Sequence, residues 1–292
     1  MVFKMKRIVI ISISILLFVF ALFTGCTNKK EYIGIVSALD KEIQLILDEA
    51  EIIRTDSFGG VDYHIGSING QNVIITKAGV GKIRSSSAVT ALLNNYNISK
   101  VIFTGIAGGL LDEEKVLDVV IATSLVEHDY GRLENTGFVW AAGDPGIVTS
   151  KGDYYECDKD LVDIAYLNAI EIVGEDNVFK GVIASGDQFV ANEKYVETLR
   201  RDFDAYACEM EGASIAIVCA NYNVPVVIIR TLSDKADGSA HENYVNFGNE
   251  AGEQSSKIVL KIIKSLNKWL KSVINWTNHN FMWKGFNYSI NG

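Results

Sequence analysis

Two acidic motifs lie close together in the last third of the chain, and each carries side chains that could do chemistry. The first is Glu209-Met210-Glu211, in which two carboxylates flank a thioether. Such a pair can accept hydrogen bonds from the two hydroxyls of a ribose, while the methionine covers the apolar face of the sugar. The second motif, Ser233-Asp234, offers a carboxyl group whose partial burial would raise its pKa and suit it to act as an acid. Taken alone, such a Ser-Asp pair is typical of a turn or helix cap.

The apolar run at 224–229 separates these motifs and predicts a buried parallel strand. Arg230 and Asp234 would then lie at, and just past, the carboxyl end of that strand. Open α/β sheets bind their ligands outside the carboxyl ends of parallel strands. The spacing therefore predicts an arginine and a carboxyl group at the edge of a sheet where ligands bind.

Strands and helices alternate along the remaining chain. Several of the predicted strands are apolar throughout, and Asn-Gly at 69–70 separates two of them as a hairpin turn would. This pattern predicts an α/β fold with a largely parallel sheet. The predicted strands are 32–36, 61–68, 73–77, 101–104, 116–123 and 178–184, the predicted helices are 41–50, 82–95, 161–173, 193–200, 209–222 and 244–274, and 127–157 is expected to be a long loop.

The N-terminal segment 1–26 differs from everything that follows it. Three basic residues precede the apolar run 8–23, and Thr24-Gly25-Cys26 comes next. A basic start, an apolar middle and small residues at the end predict an export signal. The cysteine predicts a lipoprotein type, in which Cys26 is lipidated and becomes the new N-terminus. The alternative is an uncleaved anchor helix, for which the apolar run is slightly short. Both interpretations predict a domain that is anchored to a membrane, and the lipoprotein signal predicts an exported domain in the cell envelope.

Charge and cysteine content exclude several classes of function. The 292 residues include 27 basic and 36 acidic side chains, and removal of the three basic residues near the N-terminus leaves a net charge of about −12. Nucleic acid is therefore a disfavoured partner. The remaining cysteines have no metal-binding spacing, so no metal site is predicted. Cys208 and Cys219 are expected to be buried thiols in a predicted helix.

The ordered motifs resemble the 5′-methylthioadenosine/S-adenosylhomocysteine nucleosidases, a branch of the nucleoside phosphorylase superfamily. The resemblance runs from about residue 32 to residue 266 and implies a three-layer α/β/α fold with a central mixed, largely parallel twisted sheet. It gives a nucleosidase domain at 27–275 and a tail at 276–292. The implied reaction is hydrolysis of the N-glycosidic bond of methylthioadenosine and S-adenosylhomocysteine, which releases adenine without a metal or an organic cofactor.

Cleavage of this bond needs an acid on the purine, a group that orients water, and a grip on the ribose. The resemblance implies that Asp234 is the acid, that Glu42 orients and deprotonates the water, and that Arg230 fixes the water and the carboxylates around it. It also implies that Glu211 binds the 2′ and 3′ hydroxyls, that Met210 covers the ribose, and that Glu209 and Ser233 support them. In isolation, Glu42 would be only a favourable partner of a helix dipole, and Arg230 only part of a structural ion pair.

The segment 185–190 resembles the purine-binding loop of the family. Phe189 would stack on adenine, and the backbone of Val190 would pair with the edge of the base. Tyr244, and less clearly His241, match positions that line the pocket for the 5′-alkylthio group. In the family a neighbouring subunit completes that pocket from the segment near His128, so the resemblance implies a homodimer.

One position departs from the family pattern, and two other functions stay open. Ile106 stands where these nucleosidases usually carry serine near the water and the ribose. A phosphate-dependent purine nucleoside phosphorylase would need converging basic donors, for which the glycine loops offer mainly Lys82, Arg84 and Arg230. An exported binding protein or adhesin that retains the fold is the other alternative. Preference among methylthioadenosine, S-adenosylhomocysteine and 5′-deoxyadenosine depends on pocket shape.

Overall fold

The computed structural model describes residues 30–135, 137–140 and 154–284, with side chains up to residue 267. One compact unit begins at Glu31. The predicted signal segment, including Cys26, lies outside the described residues. Across the part of the chain that is described, no helix is both long enough and apolar enough to span a bilayer.

Twelve strands and six α-helices occur in the described ranges. The strands are β1 (Tyr32–Ser37), β2 (Glu51–Phe58), β3 (Val61–Ile68), β4 (Gln71–Lys77), β5 (Ile98–Gly109), β6 (Val119–Glu127), β7 (Gly131–Glu134), β8 (Gly137–Trp140), β9 (Tyr155–Glu156), β10 (Val178–Ser185), β11 (Ala205–Glu209) and β12 (Val226–Asp234). The helices are α1 (Asp40–Asp48), α2 (Lys82–Asn95), α3 (Lys159–Val173), α4 (Glu193–Phe203), α5 (Gly212–Asn221) and α6 (Ala240–Lys284), and a short 3₁₀ turn spans Glu175–Asn177.

Ten of these strands form one sheet in the order β11-β10-β6-β12-β5-β1-β4-β3-β2, with β9 paired to β6, within the described residues. The pairs β10–β11, β6–β10, β5–β12, β1–β5 and β1–β4 are parallel. The pairs β6–β12, β3–β4 and β2–β3 are antiparallel. The far end of the long strand β5 also pairs with β11, where Gly108 lies opposite Cys208. The sheet therefore curls until β11 meets β5.

The helices form two groups around this sheet. Helices α1, α3 and α6 pack together, while α2 and α5 pack against each other. The sheet supplies much of the core, since Ile35, Ile75, Ile102 and Val227 are completely buried on four of its strands. This arrangement confirms the predicted α/β fold with a mixed, largely parallel sheet between helical layers.

Several predicted boundaries are wrong, and the sheet explains most of them. Strand β2 was not predicted because it lies at the sheet edge and is largely exposed, so it lacks an apolar pattern. The predicted helix at 209–222 begins only at Gly212, because Ala205–Glu209 is a strand held between β10 and the end of β5. Cys208 is thus a buried strand residue and not a helical one.

Glycine-rich and loop predictions also need correction. The strand predicted at 101–104 continues through the glycine-rich segment 105–109 as part of β5. The predicted strand at 116–123 lies at Val119–Glu127, and the predicted loop 127–157 contains the hairpin β7–β8 and the short strand β9. Helix α6 extends to Lys284, well into the predicted tail.

Candidate active site

A cavity of about 280 Å³ opens at the carboxyl ends of β1, β5, β11 and β12. This is the edge at which the sequence predicts a ligand site. Arg230 and His128 do not line the cavity. The predicted site residues that do line it are Glu42, Ile106, Phe189, Val190, Glu209, Met210, Glu211, Ser233, Asp234, His241 and Tyr244.

Arg230 is the cation around which the carboxylates assemble. It lies within β12 rather than at its end, and it has no solvent exposure. One nitrogen, Nη2, donates to Glu209 and lies 3.4 Å from Oε2 of Glu211. The guanidinium carbon stacks 4.0 Å from the ring centroid of Phe103. Nε and Nη1 have no hydrogen-bond partner among the described residues. Arg230 therefore balances the buried negative charge from behind the cavity wall.

Glu209 anchors the acidic motif instead of opening it to a ligand. Its carboxylate accepts hydrogen bonds from the Ser185 hydroxyl and from the guanidinium of Arg230. It also accepts the backbone N–H groups of Glu211 and Gly212, at 2.8–3.0 Å. Those N–H groups begin α5, where an anion also meets the positive end of the helix dipole. With its oxygens so engaged, Glu209 holds Arg230 and the first turn of α5 in place.

Glu211 lies beside Glu209 with far fewer hydrogen bonds. Oε1 accepts the backbone N–H of Gly81 at 2.8 Å, and Oε2 lies near Arg230. Burial, followed by the charge of Glu209, raises the pKa of Glu211 to about 8, although Arg230 acts in the opposite direction. An arriving pair of ribose hydroxyls would supply hydrogen bonds that the carboxylate lacks.

Glu42 is held by three backbone donors from two segments of the chain. Its Oε2 accepts the N–H groups of Ala38 and Leu39 at 2.9 and 2.7 Å. Its Oε1 accepts the N–H of Ile106 at 3.1 Å. Burial raises the pKa of Glu42, and the charge of Arg230 opposes that rise. One oxygen is thus fixed in the turn before α1 while the other meets β5.

Asp234 closes the opposite wall of the cavity. It is the last residue of β12 and is 3% exposed. Oδ2 accepts the hydroxyl of Ser233 at 2.8 Å, and Oδ1 accepts the N–H of Ala236 at 2.8 Å. Burial raises the pKa of this carboxyl group despite both hydrogen bonds. At a given pH, this carboxyl group is therefore protonated more often than that of an exposed aspartate, as a general acid requires.

An aromatic rim stands on the open side of the cavity. Phe189 is 49% exposed, and its ring meets that of Tyr244 edge to face, with centroids 5.8 Å apart. Nζ of Lys41 lies 3.8 Å above the Tyr244 ring. Val190 is buried next to Phe189. A flat apolar base could pack on Phe189 without displacing buried side chains.

The comparisons with known proteins decide the family. The phosphorylase superfamily matches residues 32–264. Nucleosidases for 5′-methylthioadenosine and S-adenosylhomocysteine from Bacillus cytotoxicus and Bacillus subtilis are 36% and 35% identical, over 80% of this chain and 99% of each relative. The chain belongs to this nucleosidase family.

Solved structures agree with that membership. A Helicobacter pylori nucleosidase mutant with 5′-methylthioadenosine in its active site has a TM-score of 0.72 and 31% identity, covering 81% of this chain and 99% of that one. The Neisseria meningitidis nucleosidase in complex with methylthio-immucillin-A has a TM-score of 0.72 and 32% identity, with 80% and 99% covered. A futalosine hydrolase of Helicobacter pylori reaches a TM-score of 0.71 at 31% identity, with 80% and 98% covered.

Two residues named in the sequence analysis lie outside the lining of this cavity. Arg230 was predicted at the carboxyl end of its strand, and it lies instead within β12, buried behind the carboxylates. His128 is buried beneath the purine-loop segment, and its Nδ1 lies 2.9 Å from the hydroxyl of Tyr195. Burial lowers the pKa of His128, which favours the neutral ring.

Sequence reasoning missed several contacts that shape this nucleosidase cavity. The N–H groups of Ala38 and Leu39 hold the carboxylate of Glu42, and that of Gly81 holds the carboxylate of Glu211. Cys208 lines the cavity wall. Backbone donors leave no mark in residue type. The one available signal was the pair of glycines at 79 and 81, which adopt φ values of +85° and +97°.

Gly105 allows Glu42 and Arg230 to approach each other across β5. A Cβ at this position would lie 2.8 Å from Oε1 of Glu42 and closer still to Nη1 of Arg230. We expect Gly105→Ala to separate these groups, lowering kcat/KM about 100-fold and the free energy of unfolding by about 1–3 kcal/mol. Steady-state kinetics and urea unfolding would measure both. Gly238→Ala is the matched control, since nothing lies within 4 Å of its Cβ; equal effects of the two changes would contradict this prediction.

The raised pKa values also predict how stability depends on pH. Because Glu211 titrates near 8 when folded and near 4.5 as a free side chain, the folded state binds more protons than the unfolded state across that window. The free energy of unfolding therefore falls as the pH rises through this window, because Glu211 must lose its proton in the folded state. We expect Glu211→Gln to gain on the order of 2 kcal/mol relative to the parent between pH 5 and pH 8.5. Urea unfolding at both pH values measures this, with exposed Glu242→Gln as control; a constant difference between parent and variant would contradict it.

Proposed function

We propose that this chain hydrolyses the N-glycosidic bond of 5′-methylthioadenosine and S-adenosylhomocysteine, releasing adenine and the thioribose product. The observation that carries the proposal is the convergence of three buried carboxyl groups with raised pKa values, those of Glu42, Glu211 and Asp234, on one cavity. Family membership supplies the reaction type in which such a set is useful.

Each carboxyl group has a step suited to its surroundings. Asp234, favoured in its protonated form, donates a proton to the purine as the bond to the sugar lengthens. Glu211 receives the ribose hydroxyls, and Met210 lies against the sugar. Glu42, whose Oε1 meets the N–H of Ile106, orients a water molecule and removes its proton as the oxygen attacks the anomeric carbon.

The charge of the cavity favours water over phosphate as the attacking group. Among the described residues, no lysine or arginine lines the cavity. Lys82 is paired with Glu127 and Asp129 at 2.9 and 2.6 Å, and Arg230 is paired with Glu209. A phosphate dianion would meet carboxylates without the basic donors that it needs.

The test of hydrolysis is adenine release in phosphate-free buffer, followed by addition of phosphate. We expect the rate to be unchanged by phosphate, with a reducing thioribose as the second product. A rate that depends on phosphate and yields a sugar 1-phosphate would establish the phosphorylase instead. Absence of adenine release from either substrate would favour the binding-protein alternative.

We also propose that the chain is exported and anchored to a membrane through a lipid on Cys26. The support is the segment 1–26, with its basic start, apolar run and terminal cysteine. Labelling of cells with a radioactive fatty acid tests this. We expect label on the parent protein and on Cys219→Ala, and none on Cys26→Ala, which should lose its lipid anchor. Equal labelling of the two variants would contradict lipidation at this residue.

A homodimer is our further proposal for the assembly. Its support is apolar surface beside the cavity: Ile83 is 81% exposed and follows Val80, which lines the cavity. Monomeric proteins seldom leave contiguous apolar surface uncovered. Sedimentation velocity in detergent should give twice the chain mass, and Ile83→Asp should give a monomer with a raised KM. A parent protein that sediments as a monomer would contradict the proposal.

A further inference from the structure

Glu114 is a buried carboxyl group that no step of the proposed reaction uses. It lies between β5 and β6, and its side chain has no solvent exposure. Oε2 accepts the N–H groups of Leu110 and Leu111, both at 2.9 Å. Oε1 has no hydrogen-bond partner among the described residues. Burying a carboxylate oxygen without a partner costs free energy, so an apolar side chain would serve the core better.

Lys235 connects this turn to the end of β12. It follows Asp234 directly, and its Nζ donates to the backbone carbonyl oxygens of Leu111 and of Glu114, the latter at 2.8 Å. Nζ also lies 4.0 Å from Oε2 of Glu114. The ammonium thus donates hydrogen bonds to carbonyl oxygens of this turn, and the carboxylate accepts hydrogen bonds from its N–H groups. We call this pair the Glu114–Lys235 clamp.

The clamp surrounds the backbone that orients Asp234. On one side, Gly109 lies between the clamp and the strand end: a Cβ there would be 3.1 Å from Oε2 of Glu114 and 3.6 Å from the carbonyl oxygen of Asp234. On the other side, Ala236 donates its N–H to Oδ1 of Asp234. Lys235 lies between Asp234 and Ala236 in the chain, and its side chain is bound to the turn at Leu111 and Glu114.

We infer that Glu114 and Lys235 are positioning residues that hold the Asp234 carboxyl group at the purine side of the cavity. The inference rests on the proposed function, because it assigns the clamp to the acid of that reaction. A displacement of about 1 Å at a proton donor is enough to lower a rate by orders of magnitude. The clamp would therefore act on kcat and hardly on substrate binding.

The charged groups around Glu114 include one nearby cation, that of Lys235. Burial raises the pKa of Glu114 to about 7, while Lys235 lowers it. The other titratable groups that act on Glu114 or are acted on by it are Glu113, the Cys208 thiol of β11 and Arg200 of α4. Lys235 is thus the cation that shares the buried turn with Glu114.

The test compares Glu114→Gln, Lys235→Met, the double variant and Lys235→Arg in the full chain. We expect each single variant to lower kcat about 10–30-fold with KM within about twofold of the parent. The kcat of the double variant should lie within about threefold of the kcat of the slower single variant, because both changes break the same link. Lys235→Arg should recover kcat to within about threefold, because its guanidinium can donate to two carbonyl oxygens. The remote ion pair Lys261–Glu171 provides the control variant Lys261→Met, for which kcat should be unchanged.

A pH profile separates positioning from a structural role. The N–H of Ala236 lowers the pKa of Asp234, so a carboxyl group displaced from that N–H in Lys235→Met should have a higher pKa, and the alkaline limb of kcat should move to higher pH. Folded variants with parental kcat and an unmoved limb would overturn the inference, as would a double variant whose loss is the product of the single losses. If Lys235→Met does not fold, isosteric Glu114→Gln decides the question by its kcat. A parent protein that releases no adenine would instead refute the proposed function and not the clamp alone.

Discussion

Asp234→Asn lowers kcat for adenine release by about 10²–10⁴-fold, with little change in KM. The asparagine side chain occupies the same space, and its amide oxygen can still accept the N–H of Ala236 or the hydroxyl of Ser233. It has no proton to give to the purine. Adenine is a poor leaving group as an anion, so the loss should appear in the bond-breaking step. Pre-steady-state and steady-state adenine release would measure it.

Asp237→Asn is the matched control for this change. Asp237 lies three residues further on and caps the following turn, where its Oδ1 accepts the N–H of Ser239 at 2.8 Å. We expect its kcat to stay within about twofold of the parent value. Parental kcat in a folded Asp234→Asn protein would show that another group protonates the purine.

Glu42→Gln should lower kcat by a similar factor, about 10²–10⁴-fold, for a different reason. The glutamine oxygen can keep the N–H groups of Ala38 and Leu39, so the turn before α1 stays in place. The amide cannot take a proton from water, and it removes the negative charge that stabilises an oxocarbenium-like sugar. Exposed Glu49, at the end of the same helix, gives the control variant Glu49→Gln.

A substrate with an activated leaving group distinguishes the two carboxyl roles. The 4-nitrophenyl 5-methylthioriboside needs no proton on its departing oxygen, because nitrophenolate is stable near neutral pH. Asp234→Asn should therefore hydrolyse it within about tenfold of the parent rate, while Glu42→Gln should remain as impaired as with methylthioadenosine. Equal impairment of both variants on this substrate would contradict the assignment of Asp234 as acid and Glu42 as base.

The sequence predicted the α/β fold and most of the cavity because local patterns carry that information. Apolar runs mark the central strands, and the acidic motifs at 209–211 and 233–234 lie at strand ends. Glu42 was identified through the family resemblance, which implies an acid at this position. Glu42 and every residue of the two acidic motifs line the cavity.

The parts that the sequence did not predict depend on contacts between distant segments. Strand β11 is short, and only pairing with β10 and with the end of β5 makes it a strand. The position of Arg230 within β12, and not at its end, follows from the extra length that β12 gains against β5. The need for glycine at position 105 likewise arises from two side chains that are 63 residues before it and 125 residues after it.

The Glu114–Lys235 clamp also depends on contacts between distant segments of the chain. Glu114 and Lys235 look like ordinary surface residues in the sequence, since neither lies in a recognisable motif. The burial of Glu114 and the partial burial of Lys235 beside Asp234 result from the return of the chain from β5 toward β6. The surroundings of such residues depend on how the chain folds back on itself, so they can be seen only in the folded structure.

The most direct test of the account is a time course of adenine release from 5′-methylthioadenosine in phosphate-free buffer. The detergent-solubilised full chain would be compared with its Asp234→Asn and Glu42→Gln variants. We predict steady turnover by the parent protein and a loss of at least about 100-fold in both variants, with all three folded. Parental turnover in either variant, or a parent that releases adenine only when phosphate is added, would contradict the hydrolytic site described above.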